Sequence, residues 1–88
     1  MSDRAPEIVV YTQPHCASCN EVQRYLEQRG VAFVARDVFA DPAALEEIAT
    51  RGFMSTPVTR IGDRWIAGFR RKEFERLLPA EDTQHPGP

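Results

Sequence analysis

The chain has 88 residues, 42% hydrophobic and 27% charged, with 11 Lys and Arg against 13 Asp and Glu for a formal net charge of −2. That is one small domain of ordinary soluble composition, without a block of like charge to attract nucleic acid or lipid and without an apolar run near the roughly 18 residues a membrane helix needs. The N-terminus reads Met-Ser-Asp-Arg-Ala-Pro-Glu and holds no hydrophobic signal core, so a cytoplasmic location is expected. Residues 1–6 and 79–88 read as flexible flanks around a folded domain at 7–78, and a monomer is expected.

Residues 8–11, Ile-Val-Val-Tyr, form a continuous apolar run closed by Gln13-Pro14, the pattern of a buried first strand. From Ala17 to about Arg29, the positions Cys19, Val22, Tyr25 and Leu26 recur at helical spacing, and Gly30 is a natural stop. Residues 31–38 are rich in β-branched and aromatic side chains and predict a second strand. Asp41-Pro42 opens a second helix, since Asp caps and Pro is tolerated in the first turn. Its apolar stripe is read as Leu45, Ile48 and Ala49, and Gly52 ends it. Residues 58–61 and 64–67 predict a hairpin about Gly62-Asp63. Phe74, Leu77 and Leu78 mark a last helix with no good N-cap near Arg71, stopped by Pro79. The order β-α-β-α-β-β-α gives a parallel pair with a right-handed crossover and an added antiparallel hairpin, hence an α/β fold: a mixed four-stranded sheet flanked by three helices lying on both faces.

The two cysteines, Cys16 and Cys19, stand two residues apart where the first strand ends and the first helix begins. A cytoplasmic pair favours catalysis or metal binding over a structural staple. Helix N-termini offer unpaired N–H groups and partial positive charge, which favour a thiolate at Cys16. Cys19, one turn on, shares a face with Val22 and Leu26 and should be the more buried. The asymmetry predicts Cys16 as nucleophile and Cys19 as resolving thiol. His15 is either a proton-handling neighbour of Cys16 or an exposed loop residue. Thr56-Pro57 immediately precedes the third strand, a place suited to a residue that cannot donate to the ladder. A cis bond there would turn the N–H and C=O of Thr56 toward an extended substrate backbone beside Cys16, although cis is only ~5–6% of X-Pro bonds in folded proteins.

Three strings together, Val10-Tyr11-Thr12-Gln13-Pro14-His15-Cys16-Ala17-Ser18-Cys19, Thr56-Pro57-Val58 and Ile66-Ala67-Gly68-Phe69, resemble the glutaredoxin branch of the thioredoxin superfamily over about residues 8–78. The resemblance implies a thioredoxin-like fold of glutaredoxin type, with a cis-proline facing the active cysteines. It implies that Cys16 attacks, Cys19 resolves, Thr56 and Pro57 form the shelf for substrate backbone, and Gly68 and Phe69 make the glycine turn beside it. Gln13 and His15 join the substrate-binding set by position. Three departures concern glutathione: Gln13 replaces a frequent Lys, Ser18 a frequent aromatic, and Arg70-Arg71 follow the glycine turn where acidic residues are usual. Gly68-Phe69-Arg70 looks more like the small glutaredoxin-like redoxins recharged by thioredoxin reductase.

The expectation is therefore a dithiol thiol–disulfide oxidoreductase acting on protein or mixed disulfides. It holds no bound cofactor, and thioredoxin reductase or glutathione supplies its electrons. Two other readings stay open. One is a metal-binding Cys-x-x-Cys module, either a Cu or Zn chaperone or a chain-bridging zinc or iron–sulfur site. Such chaperones run β-α-β-β-α-β and have no use for Thr56-Pro57. The other is a transcription regulator with a thioredoxin-like redox switch, a class whose chains are typically longer.

Overall fold

The structure is a computed structural model that describes residues 6–78. Seven elements follow in the expected order: β1 (Ile8–Thr12), α1 (Ala17–Gln28), β2 (Val34–Asp37), α2 (Pro42–Ala49), β3 (Val58–Ile61), β4 (Arg64–Ala67) and α3 (Arg71–Leu77). Of the expected flanks, all but Pro6 lie outside the described residues, as does Pro79.

The sheet order is β2-β1-β3-β4. β1 runs parallel to β2 and antiparallel to β3, which pairs antiparallel with β4. β1 is thus hydrogen-bonded on both sides and covered on both faces, which is why its sequence is apolar without alternation. Ile8 and Val10 point to one face, where they pack with Val22, Tyr25 and Leu26 of α1, Phe74 of α3, and Ile61, Ile66 and Leu78. Val9 and Tyr11 point to the other, against Ala44 and Ile48 of α2, with Val38 and Val58. Burying each such side chain fully is worth about 1.5–3 kcal/mol, so the sheet is held by two half-cores, one on each face of β1.

The second strand is shorter than residues 31–38. Gly30 adopts φ +73°, its N–H bonds Glu27 C=O at 3.0 Å, and the Val31 N–H bonds Leu26 C=O at 3.3 Å. This left-handed helix stop uses Val31 to close α1, and Phe33 then packs against the α1 core, so pairing with β1 starts only at Val34. Gly52 (φ +88°) ends α2 the same way, with Phe53 N–H bonded to Ile48 C=O at 3.0 Å.

α2 is capped by Asp41, whose carboxylate accepts from Ala44 N–H, with Pro42 in the first turn. Its buried stripe is Ala44 and Ile48, not Leu45, Ile48 and Ala49; Leu45 is 48% exposed and Ala49 is exposed as well. On a helix of eight residues, two patterns one position apart fit the same sequence, and packing on Val9, Tyr11 and Val58 selects the one with the small residue inward. α3 begins without a side-chain cap at Arg70, as its sequence indicated. β3 and β4 pair Ile61 with Arg64 across Gly62-Asp63, with Gly62 at φ +62°.

Candidate active site

Strand β1 delivers the chain to the loop 13–16 and then to α1. Within this loop His15 takes a left-handed φ of +60°, unusual for a residue other than glycine, and turns the chain into the helix. His15 is exposed, and among the described residues no hydrogen bond joins it to Cys16. Its visible contribution is to backbone shape.

Cys16 is the N-cap of α1, with extended φ and ψ of −115° and 103°. Ser, Thr, Asp and Asn ordinarily fill this position with an oxygen acceptor. Here the acceptor is sulfur: the Cys19 N–H donates to Cys16 Sγ at 3.1 Å, and the Asn20 N–H makes the first helical bond to Cys16 C=O at 3.2 Å. No acidic residue occupies the first turn, so nothing there opposes negative charge on the sulfur. Cys16 and Cys19 form a disulfide with Cα atoms 5.2 Å apart. Cys16 is half-buried, whereas Cys19 is 0% exposed and packed beneath it. Only Cys16 can be reached from outside, which is the asymmetry the helical spacing indicated.

Two hydroxyls approach the same sulfur. Ser18 Oγ lies 3.7 Å from Cys16 Sγ, and Thr56 Oγ1, forty residues away in sequence, donates to it at the same 3.7 Å. The Thr56–Pro57 bond is cis. Behind it, the Gly68 N–H donates to Pro57 C=O at 2.8 Å, with Gly68 at φ +78°. The glycine turn thus clamps the proline loop from behind. Phe69 packs on the α1–α3 core, its ring 5.6 Å from Tyr25 and 6.0 Å from Phe74. The structure therefore gathers Cys16, Cys19, Thr56, Pro57 and Gly68, adds Ser18, and packs the Phe69 ring on the core beside the turn.

Gln13 and Thr56 stand in the wall of a groove of about 270 Å³ whose other walls include Phe39, Leu45, Phe53 and Met54. Phe39 is 73% and Met54 91% exposed, so this apolar surface adjoins the reactive sulfur. A larger groove of about 480 Å³ lies at the opposite end of β1, lined by Pro6, Ile8, Val31 and Phe33 among others. It is remote from the sulfurs and has no part in their chemistry.

Below the loop, Tyr11 is fully buried and donates to Glu47 Oε1 at 2.6 Å. Arg36 donates to both Glu47 oxygens at 3.0 and 3.1 Å and to Asp41 Oδ2 at 3.0 Å. Burial, and then the Glu47 carboxylate, push the Tyr11 hydroxyl above its usual 10.0. Tyr11, then Arg36, hold Glu47 below the ordinary 4.5, and Arg36 holds Asp41 below 3.8. This network ties β1, β2 and α2 together under the site. Asp37 closes β2 by accepting Phe39 N–H at 2.8 Å, a turn role. Among the described residues, no group of three or more His, Cys, Asp and Glu could hold a metal ion, and no helix is long and apolar enough to cross a membrane.

Sequence reasoning missed Ser18, the groove residues Phe39 and Met54, and the Tyr11–Glu47–Arg36 network. Ser18 alone left a signal, a hydroxyl between the cysteines in a helix's first turn.

The glutaredoxin family model matches residues 8–66. The glutaredoxin-like protein NrdH-redoxin of Escherichia coli superposes with a TM-score of 0.78 at 36% identity, covering 84% of this chain and 97% of that one. The glutaredoxin-like protein NrdH of Lactococcus lactis is 29% identical over 70 residues, 80% of this chain and 97% of its own length. The global transcriptional regulator Spx of Bacillus subtilis is 30% identical over 91 residues, 91% of this chain. The chain spans half to two thirds of the length of the transcriptional regulators it matches.

Proposed function

Because the chain belongs to the glutaredoxin family, we propose that it is a dithiol thiol–disulfide oxidoreductase that reduces protein disulfides. The observation that carries this reading is the pairing of an accessible N-cap cysteine with a buried partner one turn on, opposite the Thr56 hydroxyl and the cis Pro57. In the reduced protein, the Cys16 thiolate attacks one sulfur of a substrate disulfide. A Cys16–substrate mixed disulfide forms and the other substrate sulfur leaves as a thiolate. Cys19, deprotonated in turn, attacks Cys16 Sγ and displaces the second substrate thiolate. Two electrons and two protons pass to the substrate, and the Cys16–Cys19 disulfide remains. Thr56 and Pro57 hold substrate backbone beside Cys16, and Gly68 braces Pro57.

Electrons return from thioredoxin reductase rather than glutathione. Exposed Arg70 and Arg71 follow Gly68-Phe69, where a γ-glutamyl amine would meet like charge. The apolar groove running from Thr56 to Met54 fits an apolar side chain flanking a protein disulfide better than a charged tripeptide. The E. coli neighbour, whose activity profile is described as thioredoxin-like, supports the same assignment. The test supplies oxidised protein with NADPH and either thioredoxin reductase or glutathione plus its reductase, with insulin as substrate. Faster turnover with thioredoxin reductase is expected; faster turnover with glutathione would overturn the choice of reductant. Cys16→Ser abolishes turnover, and Cys19→Ser accumulates mixed disulfide visible by mass spectrometry.

A second reading, the redox-sensing module of a transcriptional regulator, draws on the 30% identity with Spx. It requires a disulfide that forms without catalytic turnover, and the same assay separates the two.

A further inference from the structure

We infer that Ser18 is a functional residue of this site: in the reduced protein its hydroxyl donates a hydrogen bond to the Cys16 thiolate and makes that sulfur a weaker base. The inference deepens the proposed function and rests on Cys16 being the attacking thiol.

Ser18 Oγ is 3.7 Å from Cys16 Sγ, a reach that sulfur's larger radius allows. Serine in the first turn of a helix commonly spends its hydroxyl on nearby backbone; this one faces the N-cap sulfur instead. The Cys16 sulfur bonded to Cys19 carries no proton, so the hydroxyl is the donor here, and toward a thiolate it can only be the donor. Three donors then converge on one atom: the Cys19 N–H at 3.1 Å and the hydroxyls of Ser18 and Thr56 at 3.7 Å each. The N–H is fixed by the helix and Thr56 belongs to the opposing loop. Ser18 is the one side-chain donor supplied by the dipeptide between the cysteines, since the Ala17 methyl group has none to give.

The chemical consequence has two opposed parts. A hydrogen bond to an ionised acceptor raises the thiolate-to-thiol ratio at fixed pH by about tenfold. A weaker base is also a weaker nucleophile, by about threefold for that change, and a better leaving group. Removing the hydroxyl therefore makes Cys16 about threefold slower at pH values where little thiolate is present, and about threefold faster where all of it is ionised.

The experiment measures iodoacetamide alkylation of the reduced full chain across pH for the parent, Ser18→Ala and Ser18→Thr, and locates the label by peptide fragmentation. Alanine has better helix propensity than serine at this half-buried position, so α1 persists in the variant. The expected result is that the Ala profile crosses the parent profile, slower at low pH and faster at high pH, and that Thr restores the parent curve. Superimposed profiles overturn the inference, as does a uniform slowing at every pH or a crossing that Thr fails to reverse. In those cases a label on Cys16 leaves the proposed roles of the two cysteines standing. A label found first on Cys19 overturns both.

Discussion

Tyr11→Phe removes one oxygen and leaves the ring, so it tests the hydroxyl's hydrogen bond to Glu47, together with its weaker interaction with Arg60, under the active-site loop. Tyr11 is fully buried, and its hydroxyl donates to Glu47 Oε1 at 2.6 Å. A hydrogen bond to a charged group is worth about 1.5–3 kcal/mol when shielded. The Glu47 side chain is 46% exposed and keeps Arg36 at 3.0 Å, so water and Arg36 recover part of the loss and about 1 kcal/mol remains. For a domain of this size that is a fall in Tm of about 4–8 °C. The pH dependence is the sharper signature. Glu47 is held below 4.5, with Tyr11 the largest cause. Below 4.5 the unfolded chain binds a proton that the folded chain resists, so this stability is whole above 4.5 and is lost as pH falls through the lower folded value. Tyr11 itself is raised above 10.0, so its contribution is whole below 10.0 and is lost as pH rises toward the folded value. The stability gap between parent and variant, measured by urea unfolding of the oxidised proteins, should be widest near neutrality and narrow at both extremes. A gap that is flat with pH, or absent near neutrality, would refute the reasoning.

Four other outcomes are expected. Thr59 is fully buried between Val10 and Ile66 in the sheet register, and its hydroxyl has no hydrogen-bond partner among the described residues. Thr59→Val should therefore raise stability by about 1 kcal/mol in urea titrations, whereas the same change at a satisfied threonine lowers it. Leu26→Ala empties a fully buried site between α1 and the sheet and should cost about 2–5 kcal/mol by the same titration. Met54→Asp charges the exposed rim of the groove and should raise KM for a protein disulfide while leaving reduction of a small aromatic disulfide unchanged; equal effects on both would mean the groove is not used. Finally, Arg36→Ala should unfold in acid at a higher pH than the parent: Arg36 holds Asp41 below 3.8 and helps hold Glu47 below 4.5, and circular dichroism against pH reads the midpoint.

Much of this molecule was legible in its residues, for identifiable reasons. β1 is apolar at every core position because it is buried on both faces, and α1 shows Cys19, Val22, Tyr25 and Leu26 at strict helical spacing. The burial asymmetry of the two cysteines followed from that spacing. The limits of β2 and the inward face of α2 were not legible, because short elements carry too few residues to fix a phase. There, the stop at Gly30 and packing on the far half-core decided the outcome. The cis bond at Pro57 was visible only through resemblance, since local preference runs the other way. In the sequence Ser18 stands out only as the replacement of a frequent aromatic residue. Its significance depends on a distance, and distances between neighbours in a helix's first turn follow from rotamers that sequence does not state.

The sharing of β1 by both half-cores has a consequence for motion. Its amides at Val9, Val10 and Tyr11 are laddered on two sides and covered above and below, so they open only when the whole domain does. In hydrogen exchange they should report the global unfolding free energy, and reduction of the disulfide should shift them only as far as it shifts that energy. The Cys16 sulfur is mounted four residues beyond this least yielding strand. Each redox cycle therefore works against a fixed anvil, and what movement substrate binding demands falls to the loop and to the exposed rim around it.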